Sequence, residues 1–304
     1  KHSDIALFYR TNAQSRQFED VLRREKVPHQ IVGGLRFYDR KEIKDVLAYF
    51  KAILNPSDGI SLKRVINVPA RGIGKTTVEK IEELAIRLQA TDPRATFWEA
   101  LIAVADGQVT EGFSAGVARK LVPFVVLMRR LMVEQTKLNL AELYHLLLDE
   151  TGYVRELREE GTEESLARVD NLEEFDNVIQ EFVQENPVDA MELPPGGWLA
   201  LFIEQTSLVS DVDQLQEGLS SVKLMTLHSS KGLEFPVVFM VGMEDGLFPS
   251  SRPWQEDSEE DVEEERRLCY VGMTRAREQL YMTCAQLRRI WGNTSLQEPS
   301  RFFT

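Results

Sequence analysis

Residues 222–243 read VKLMTLHSSKGLEFPVVFMVGM, which places a polar loop between two apolar runs. Apolar runs of this length are typical of strands that are buried on both faces of a parallel sheet. Ligands of such sheets bind to loops at the carboxyl ends of the strands. The loop supplies five polar side chains: His228, Ser229, Ser230, Lys231 and Glu234. A ligand site and a solvated connection between two strands explain this pattern equally well.

Strand-like runs also occur at both ends of the chain, namely DIALFYR (4–10), HQIVGG (29–34) and QLYMTCA (279–285). Between about residue 60 and residue 219, most of the sequence has apolar residues at helical spacing. We therefore predict an α/β fold in which a parallel-sheet domain, residues 1–56 and 220–304, is interrupted by an all-α insertion, residues 57–219. The turn cluster NPSDG (55–59) marks the first boundary, and NPVDAMELPPGG (186–197) has the Pro/Gly density of a surface loop.

Composition narrows the class of protein. The 304 residues are 43% hydrophobic and 28% charged, as in globular proteins, and no run of eighteen apolar residues predicts a membrane span. The net charge of −13 argues against a simple cationic nucleic-acid binder, although eight of the acidic residues lie within EDSEEDVEEE (256–265), which we interpret as a solvated loop. Cys269 and Cys284 lack ligand-like spacing and predict buried, reduced thiols in a cytosolic protein. Because KHSDIALFYR has no initiator Met, we expect a fragment of a longer chain.

A second informative stretch is EEERRLCYVGMTRA (263–276), in which Leu268, Val271 and Arg275 follow helical spacing. Arg275 falls near the end of an amphipathic helix that leads into a strand. A guanidinium on a rigid element can bind a phosphate through two parallel hydrogen bonds. The alternative is a surface arginine that pairs with the glutamates upstream.

A third stretch, VGGLRFYDRKEIKD (32–45), mixes basic and aromatic residues. Charge and stacking could bring these side chains to a nucleic-acid strand, and an ordinary loop that leads into a charged helix face explains them equally well. The residues concerned are Arg36, Phe37, Tyr38, Arg40, Lys41 and Lys44.

VPARGIGKTTVEK (68–80) contains the GKT of a phosphate-binding loop but departs from that motif. The motif requires a glycine five residues before Gly74, and Pro69 occupies that position. Proline has no N–H to donate and fixes its own φ angle, so it cannot take part in the phosphate cradle.

YHLLLDETG (144–152) resembles a strand that ends in acidic residues, but its leucines keep helical spacing. The four histidines show no metal-ligand spacing, and we predict no metal site.

Five strings together resemble the UvrD/PcrA/Rep family of superfamily 1 DNA helicases, in the order found in that family. They are DIALFYRTNAQSR (4–16), VGGLRFYDRKEIKDVLAYF (32–50), RGIGKTT (71–77), LMTLHSSKGLEFPVVF (224–239) and EEERRLCYVGMTRA (263–276). The resemblance extends from the first residue to WGNTSLQEPSRFF (291–303). It implies a second RecA-like domain, called 2A in the family, interrupted by a mobile helical domain, called 2B.

The resemblance also implies roles for individual residues. Glu234 and Gly232 match the nucleotide side of a motif that couples ATP to single-stranded DNA, and Arg275 matches the residue that stabilises the γ-phosphate. Thr226, His228 and Lys231 match its DNA side. RGIGKTT resembles the loop that grips duplex DNA, where glycines allow close approach of the backbone and the start of a helix offers N–H groups. The implied contacts of this loop are Arg71, Gly72, Gly74, Lys75, Thr76 and Thr77.

The chain departs from the family pattern because it contains no P-loop, no DExx box, no upstream Gln sensor and no NYRS string; FYRTN (8–12) belongs to a different strand. We therefore predict the C-terminal part of an ATP-dependent 3′→5′ DNA helicase that supplies half of an ATP site and is inactive as an ATPase alone. ATP and Mg²⁺ would bind only together with the protein's own N-terminal helicase domains. Expected partners are single-stranded DNA, single-strand/duplex junctions and repair proteins, at the nucleoid in the bacterial cytoplasm. The alternative is a non-catalytic DNA-binding or partner-docking module with the same fold.

Overall fold

The computed structural model describes residues 1–186, 194, 196–212, 220–250, 259–290 and 293–303. These residues form two compact units. Unit 1 comprises Lys1–Arg40, Asp170–Asn177 and Asp211–Thr304, and unit 2 comprises Lys41–Val169 and Val178–Ser210. Most of the predicted surface loop at 186–197 lies outside the described residues.

Unit 1 contains a five-stranded parallel sheet whose strands come from both ends of the chain. They are β1 (Ile5–Tyr9), β2 (His29–Ile31), β3 (Val222–Thr226), β4 (Phe235–Met240) and β5 (Ala276–Met282). The order across the sheet is β2-β3-β1-β4-β5. In the register, Ala6 of β1 lies opposite Lys223 of β3 and Val238 of β4. The predicted fold class, an α/β domain interrupted by helices, is confirmed.

Apolar side chains cover both faces of this sheet, which explains why the strands read as continuous apolar runs. On one face, Leu268 and Cys269 of helix α11 (Glu259–Met273) pack with Phe8 of β1 and Met240 of β4. On the other face, Phe18 and Leu22 of helix α1 (Ser15–Arg24) pack with Tyr9 and Leu224. Burial raises the pKa of the Cys269 thiol to about 11. The prediction that both cysteines are buried is wrong for Cys284, which is exposed.

Helix α11 also corrects the interpretation of the acidic run. Residues 251–258 lie outside the described part, but from Glu259 onward the run is helical. Glu259, Glu260 and Asp261 are exposed in the first turn, where carboxylates are stabilised by the partial positive charge of the helix N-terminus. The second half of the run is therefore the start of a helix that carries charge on its solvent face.

Unit 2 is built of helices, and several of them begin at a capping residue. The helices are α2 (Lys41–Leu54), α3 (Gly59–Val65), α4 (Lys75–Gln89), α5 (Phe97–Ala105), α6 (Ala115–Glu134), α7 (Leu140–Thr151), α8 (Tyr153–Glu160), α9 (Glu163–Glu185) and α10 (Gly197–Val212). Asp58, Asn139 and Thr162 accept hydrogen bonds from N–H groups in the first turns of α3, α7 and α9. The helical reading of YHLLLDETG is confirmed by α7.

The boundary of unit 2 differs from the predicted division at 56/57. Helix α2 packs against α3 and α6 and so belongs to unit 2, although the turn signals at 55–59 follow it in the chain. The middle of α9, Asp170–Asn177, belongs to unit 1. The two units thus divide the chain differently from the predicted domain limits, 1–56, 57–219 and 220–304. Those limits stay a prediction. Among the described residues, no helix combines the length and the apolar character that crossing a bilayer requires.

An antiparallel hairpin, which the sequence did not predict, follows β5. It pairs β6 (Leu287–Ile290) with β7 (Asn293–Leu296), with Leu287 opposite Leu296. The segment after β4 carries Glu244, whose side chain is fully buried and forms an ion pair with Arg288 of β6. This ion pair connects the hairpin to the chain that leaves β4.

Candidate functional site

The segment that we call the 226–234 loop comprises Thr226, the last residue of β3, and the connection from β3 to β4, which folds back over the carboxyl end of β3. The Thr226 and Ser229 hydroxyls lie 3.0 Å apart, and the Ser229 N–H donates to Thr226 Oγ1 at 3.2 Å. Ser230 is buried, and its hydroxyl donates to the Leu227 carbonyl at 2.7 Å. These local hydrogen bonds direct the remaining polar groups outward. The exposed residues of the loop include His228, Lys231, Gly232 and Glu234.

Gly33, in the turn after β2, fixes the other side of this loop. Its φ angle of +75° lies in the left-handed region, and a Cβ atom there would be only 2.9 Å from Ser229 Oγ. A side chain would therefore meet the loop and strain the backbone. Gly33 was not predicted as part of the site; the signal was the glycine pair that ends HQIVGG.

Arg275 lies against the same loop. Its guanidinium donates to the carbonyls of Val271 at 3.0 Å and Leu233 at 3.3 Å, and to Thr274 Oγ1 at 3.0 Å. Its own carbonyl accepts the N–H of Phe235 at 2.9 Å. Leu233 and Phe235 flank Glu234, so the structure brings Arg275 and Glu234 to one place. Within the described part of the chain, Arg275 has neutral acceptors and no ion pair with the upstream glutamates.

Glu234 forms an ion pair with Arg277 of β5, with Nε and Oε2 3.0 Å apart. Both side chains are at least half exposed, so this pair contributes little to stability and can exchange for another partner. Arg277 was not predicted as part of the site, because a sequence does not show which cation on a neighbouring strand faces a given loop. Gly232, with a φ angle of +85°, has open space around the position of a Cβ.

Helix α11, which ends two residues before Arg275, approaches the loop closely at Gly272. An alanine Cβ at this position would collide with the Leu227 side chain and lie 3.1 Å from Met240 Cε. We expect Gly272→Ala to destabilise the protein by about 1–3 kcal/mol, because both neighbours are buried and cannot yield freely. Urea unfolding would measure this change. Gly116→Ala is the matched control, since this helical glycine has no neighbour closer than 3.7 Å, and an unchanged or raised stability of Gly272→Ala would contradict the expectation.

Arg10 also connects β1 to helix α11. Its Nε lies 2.9 and 3.0 Å from the two carboxylate oxygens of Glu265, and the Ser250 N–H donates to the same carboxylate at 3.2 Å. Arg10 is therefore engaged in a bidentate ion pair, consistent with the view that FYRTN has no role on a γ-phosphate. Neither residue was predicted to have a partner, because they are separated by 255 positions in the chain.

The RGIGKTT loop, residues 71–77, lies in unit 2. Gly72 has a φ angle of +68°, and its carbonyl accepts a hydrogen bond from Lys120 Nζ at 3.1 Å. Gly74 is the N-cap of α4, and no atom lies within 4 Å of the position of its Cβ. Lys75 and Thr76 are exposed, and their N–H groups precede the first intrahelical hydrogen bonds of α4. Thr77 donates its N–H to the Gly74 carbonyl at 3.0 Å.

Arg71 differs from its neighbours in this loop. Its guanidinium donates to the carbonyls of Val65, Val68 and two further residues and to the hydroxyl of Tyr49. The implied DNA contact of Arg71 stays a prediction, and in this structure the side chain has an internal structural role.

The aromatic end of the stretch at 32–45 is a short 3₁₀ helix, Phe37–Asp39. Phe37 is 1% exposed and packs on Phe175, with ring centroids 6.3 Å apart. Arg40 is 6% exposed and donates to Asn171 Oδ1 at 2.7 Å and to Ser15 Oγ at 2.6 Å. The possible stacking of Phe37 on a base is therefore wrong, because the ring belongs to the core of unit 1.

Among the described residues, no group of three or more His, Cys, Asp or Glu side chains forms a candidate metal site. The polar groups beside the 226–234 loop are instead a carboxylate, an ammonium and guanidinium groups. This donor set suits a ligand that carries both hydroxyl and phosphate groups.

The chain is similar to known proteins over almost its whole length. A family model described as "UvrD-like helicase C-terminal domain" matches residues 1–287. The chain is 42% identical over 308 residues to the protein named ATP-dependent DNA helicase PcrA of Bacillus subtilis strain 168 and 43% identical over 308 residues to the protein named ATP-dependent DNA helicase UvrD1 of Mycobacterium tuberculosis H37Rv. It is 41% identical over 302 residues to the PcrA of Leuconostoc citreum. Each alignment covers 99% of this chain but 39% of the relative.

Proposed function

Because this chain belongs to the family of UvrD-like helicase C-terminal domains, we propose that it is the C-terminal part of an ATP-dependent 3′→5′ DNA helicase. The chain spans about two fifths of the length of the relatives, so the remaining parts of the motor would come from the rest of a longer protein. One observation carries the proposal: the Arg275 guanidinium lies on the Leu233 carbonyl, directly beside the exposed Glu234.

On the nucleotide side, Arg275 would neutralise charge on the phosphoryl group that is transferred. Its hydrogen bonds to the Val271 carbonyl of α11 and to the Leu233 carbonyl hold the guanidinium in place from the turn after the helix, and a fixed cation is effective because it requires no reorganisation during the reaction. Glu234 would accept a hydrogen bond from a ribose hydroxyl after releasing Arg277. The backbone of Gly232 would allow close approach of the nucleotide, since no side chain occupies that space.

On the DNA side, the same loop would present Thr226, His228 and Lys231 to a single strand. Lys231 is exposed and lies three residues before Glu234, so a shift of the loop on nucleotide binding would move the DNA contacts as well. This short connection is the physical basis on which we propose that the loop couples ATP to the strand.

We propose that Mg²⁺ and the remaining phosphate contacts require the N-terminal helicase domains. The 304-residue chain is therefore expected to show no Mg²⁺-dependent ATP turnover above background with saturating single-stranded DNA, as measured by phosphate release. Clear turnover that Arg275→Ala abolishes would contradict the half-site proposal. Absence of turnover after addition of the N-terminal part of a relative would instead favour the non-catalytic binding module.

We further propose that the RGIGKTT loop binds the backbone of duplex DNA. Exposed N–H groups at the start of α4 favour an anion, and Gly74 leaves room for a phosphate to approach. Gly74→Thr is expected to weaken binding to a hairpin duplex about tenfold and to leave binding to a single strand unchanged. Threonine suits an N-cap, so the fold is maintained while the added side chain occupies the approach.

Fluorescence anisotropy with the two DNA forms would measure this effect. Ala90→Thr is the matched control, because it adds the same bulk at the exposed C-cap of the same helix. Equal loss on both DNA forms, or no loss on either, would reject the role of the loop.

The proposed partners and location follow from the same function. Single-strand/duplex junctions would contact both loops, and repair proteins are candidate partners of the longer protein. All three relatives named above are bacterial, and we propose a cytoplasmic location at the nucleoid. Fluorescence microscopy of a tagged full-length protein in its own host would test this.

A further inference from the structure

The Arg71 guanidinium is directed into unit 2. Its Nη1 lies 3.0 Å from the carbonyl oxygens of Val65 and Val68, and 3.3 Å from those of Ile66 and Pro69. These four carbonyls belong to the last residue of α3 and to the turn that connects α3 to the RGIGKTT loop. One cationic group therefore gathers the oxygens of a turn whose carbonyl dipoles would otherwise repel one another.

The surroundings of the guanidinium reinforce this arrangement. Its Nη2 donates to the hydroxyl of Tyr49 at 2.8 Å, and that hydroxyl contacts the carbonyl oxygens of Val65 and Val68. Tyr49 is 1% exposed, and burial raises its pKa to about 12, so it stays a neutral donor at physiological pH. The guanidinium carbon lies 5.3 Å from the centre of the Phe124 ring, within the range of a cation–π contact.

Two further contacts hold the loop from inside. Asn67 Oδ1 accepts the N–H of Arg71 at 2.8 Å and the N–H of Ile73 at 3.0 Å. Ile73 is 3% exposed, so the loop is also anchored by an apolar side chain between its two glycines. Gly72, Gly74, Lys75 and Thr76 are the positions left on the outside.

We infer that Arg71 is a positioning residue: it preorganises the RGIGKTT loop for duplex DNA and does not itself neutralise a phosphate. This inference rests on the proposed duplex contact of the loop. It assigns the phosphate-facing part to the exposed Lys75 and the backbone N–H groups, and the shaping part to Arg71, Tyr49 and Asn67.

The salt dependence of binding separates the two roles. The plot of log Kobs against log salt concentration has a negative slope, and each phosphate that a cationic side chain neutralises adds about 0.9 to its magnitude, because counterions are released. Arg71→Ala in the 304-residue chain is expected to weaken duplex binding roughly tenfold, through loss of preorganisation, with an unchanged slope. Lys75→Ala, which removes a 90% exposed cation, is expected to lower the magnitude of the slope by about 0.9.

The outcomes are distinct. The positioning role is overturned if Arg71→Ala reduces the magnitude of the slope by about 0.9, or if it leaves the affinity for duplex DNA unchanged. If Arg71→Ala does not fold, Tyr49→Phe and Arg71→Lys replace it: each is expected to lower duplex affinity at constant slope, and unchanged affinity in both overturns the inference. If the unsubstituted chain does not bind duplex DNA, the proposed function fails. In that case, hydrogen exchange at the Ile73 amide tests the positioning role. We expect faster exchange in Arg71→Lys, and an unchanged rate would contradict the inference.

Discussion

Arg275→Ala is expected to reduce DNA-stimulated ATP turnover by about 10³-fold or more in the complete polypeptide that we propose carries this chain. Arginines that stabilise a transferred phosphoryl group contribute about 10³ to 10⁵ to the rate. In the structure, the guanidinium is held by carbonyls at 3.0 and 3.3 Å and so is positioned before a nucleotide binds. This positioning favours a loss of turnover towards the upper end of that range. Steady-state phosphate release at saturating ATP, Mg²⁺ and single-stranded DNA would measure it.

Two variants control this experiment. Arg267→Ala removes an exposed arginine from α11, the helix that precedes Arg275, and is expected to leave turnover within about twofold of the unsubstituted protein, as for a surface charge. Arg275→Lys keeps the charge but loses the planar guanidinium group. Its turnover is expected to lie between those of Arg275→Ala and Arg267→Ala. Thermal unfolding of each variant separates loss of chemistry from loss of fold. Near-normal turnover by a folded Arg275→Ala protein would reject the assigned role.

Arg288→Ala is expected to lower the free energy of unfolding by about 3 kcal/mol, the effect expected when one partner of a buried ion pair is removed. Glu244 is fully buried, and Arg288 Nη2 donates to its carboxylate at 2.8 Å. The same carboxylate also accepts the N–H of Ala285 at 2.7 Å. Without the arginine, a buried charge would remain with one backbone hydrogen bond. Urea unfolding followed by circular dichroism would measure the change.

The matched control is Arg129→Ala, which removes one partner of an exposed pair with Asp106. Because both side chains of that pair are well exposed, its loss is expected to change the free energy of unfolding by less than about 1 kcal/mol. Similar effects of the two substitutions would show that burial does not distinguish the pairs.

The strands and helices were largely predictable from the sequence. Continuous apolar runs at β1, β3 and β4 indicated burial on two faces, and helical spacing at 144–152 excluded a strand. These signals are local, since each depends on neighbours within a few residues. The prediction of a solvated loop at 256–265 failed from Glu259 onward for the same reason. A run of carboxylates indicates solvent exposure, and exposure does not distinguish a loop from the first turns of a helix.

The candidate site was predictable in its residue types but not in its contacts. Arg275 and Glu234 were identified from their motifs, whereas the Leu233 carbonyl that receives Arg275 and the cation that pairs with Glu234 were not. RGIGKTT was identified as a glycine loop, but the internal course of the Arg71 side chain was not predicted. A basic residue beside two glycines has the same sequence pattern whether it faces a phosphate or its own backbone.

The sequence by itself determined the fold class, the family and the motifs, because these depend on hydrophobic periodicity and on residue types at fixed spacing. Only the tertiary structure decided which polar groups meet. Arg10 reaches Glu265 across 255 positions, and Arg71 reaches the hydroxyl of Tyr49 across 22 positions. Such pairings depend on the relative placement of elements, which the summed packing of many apolar side chains sets and no single stretch of sequence encodes.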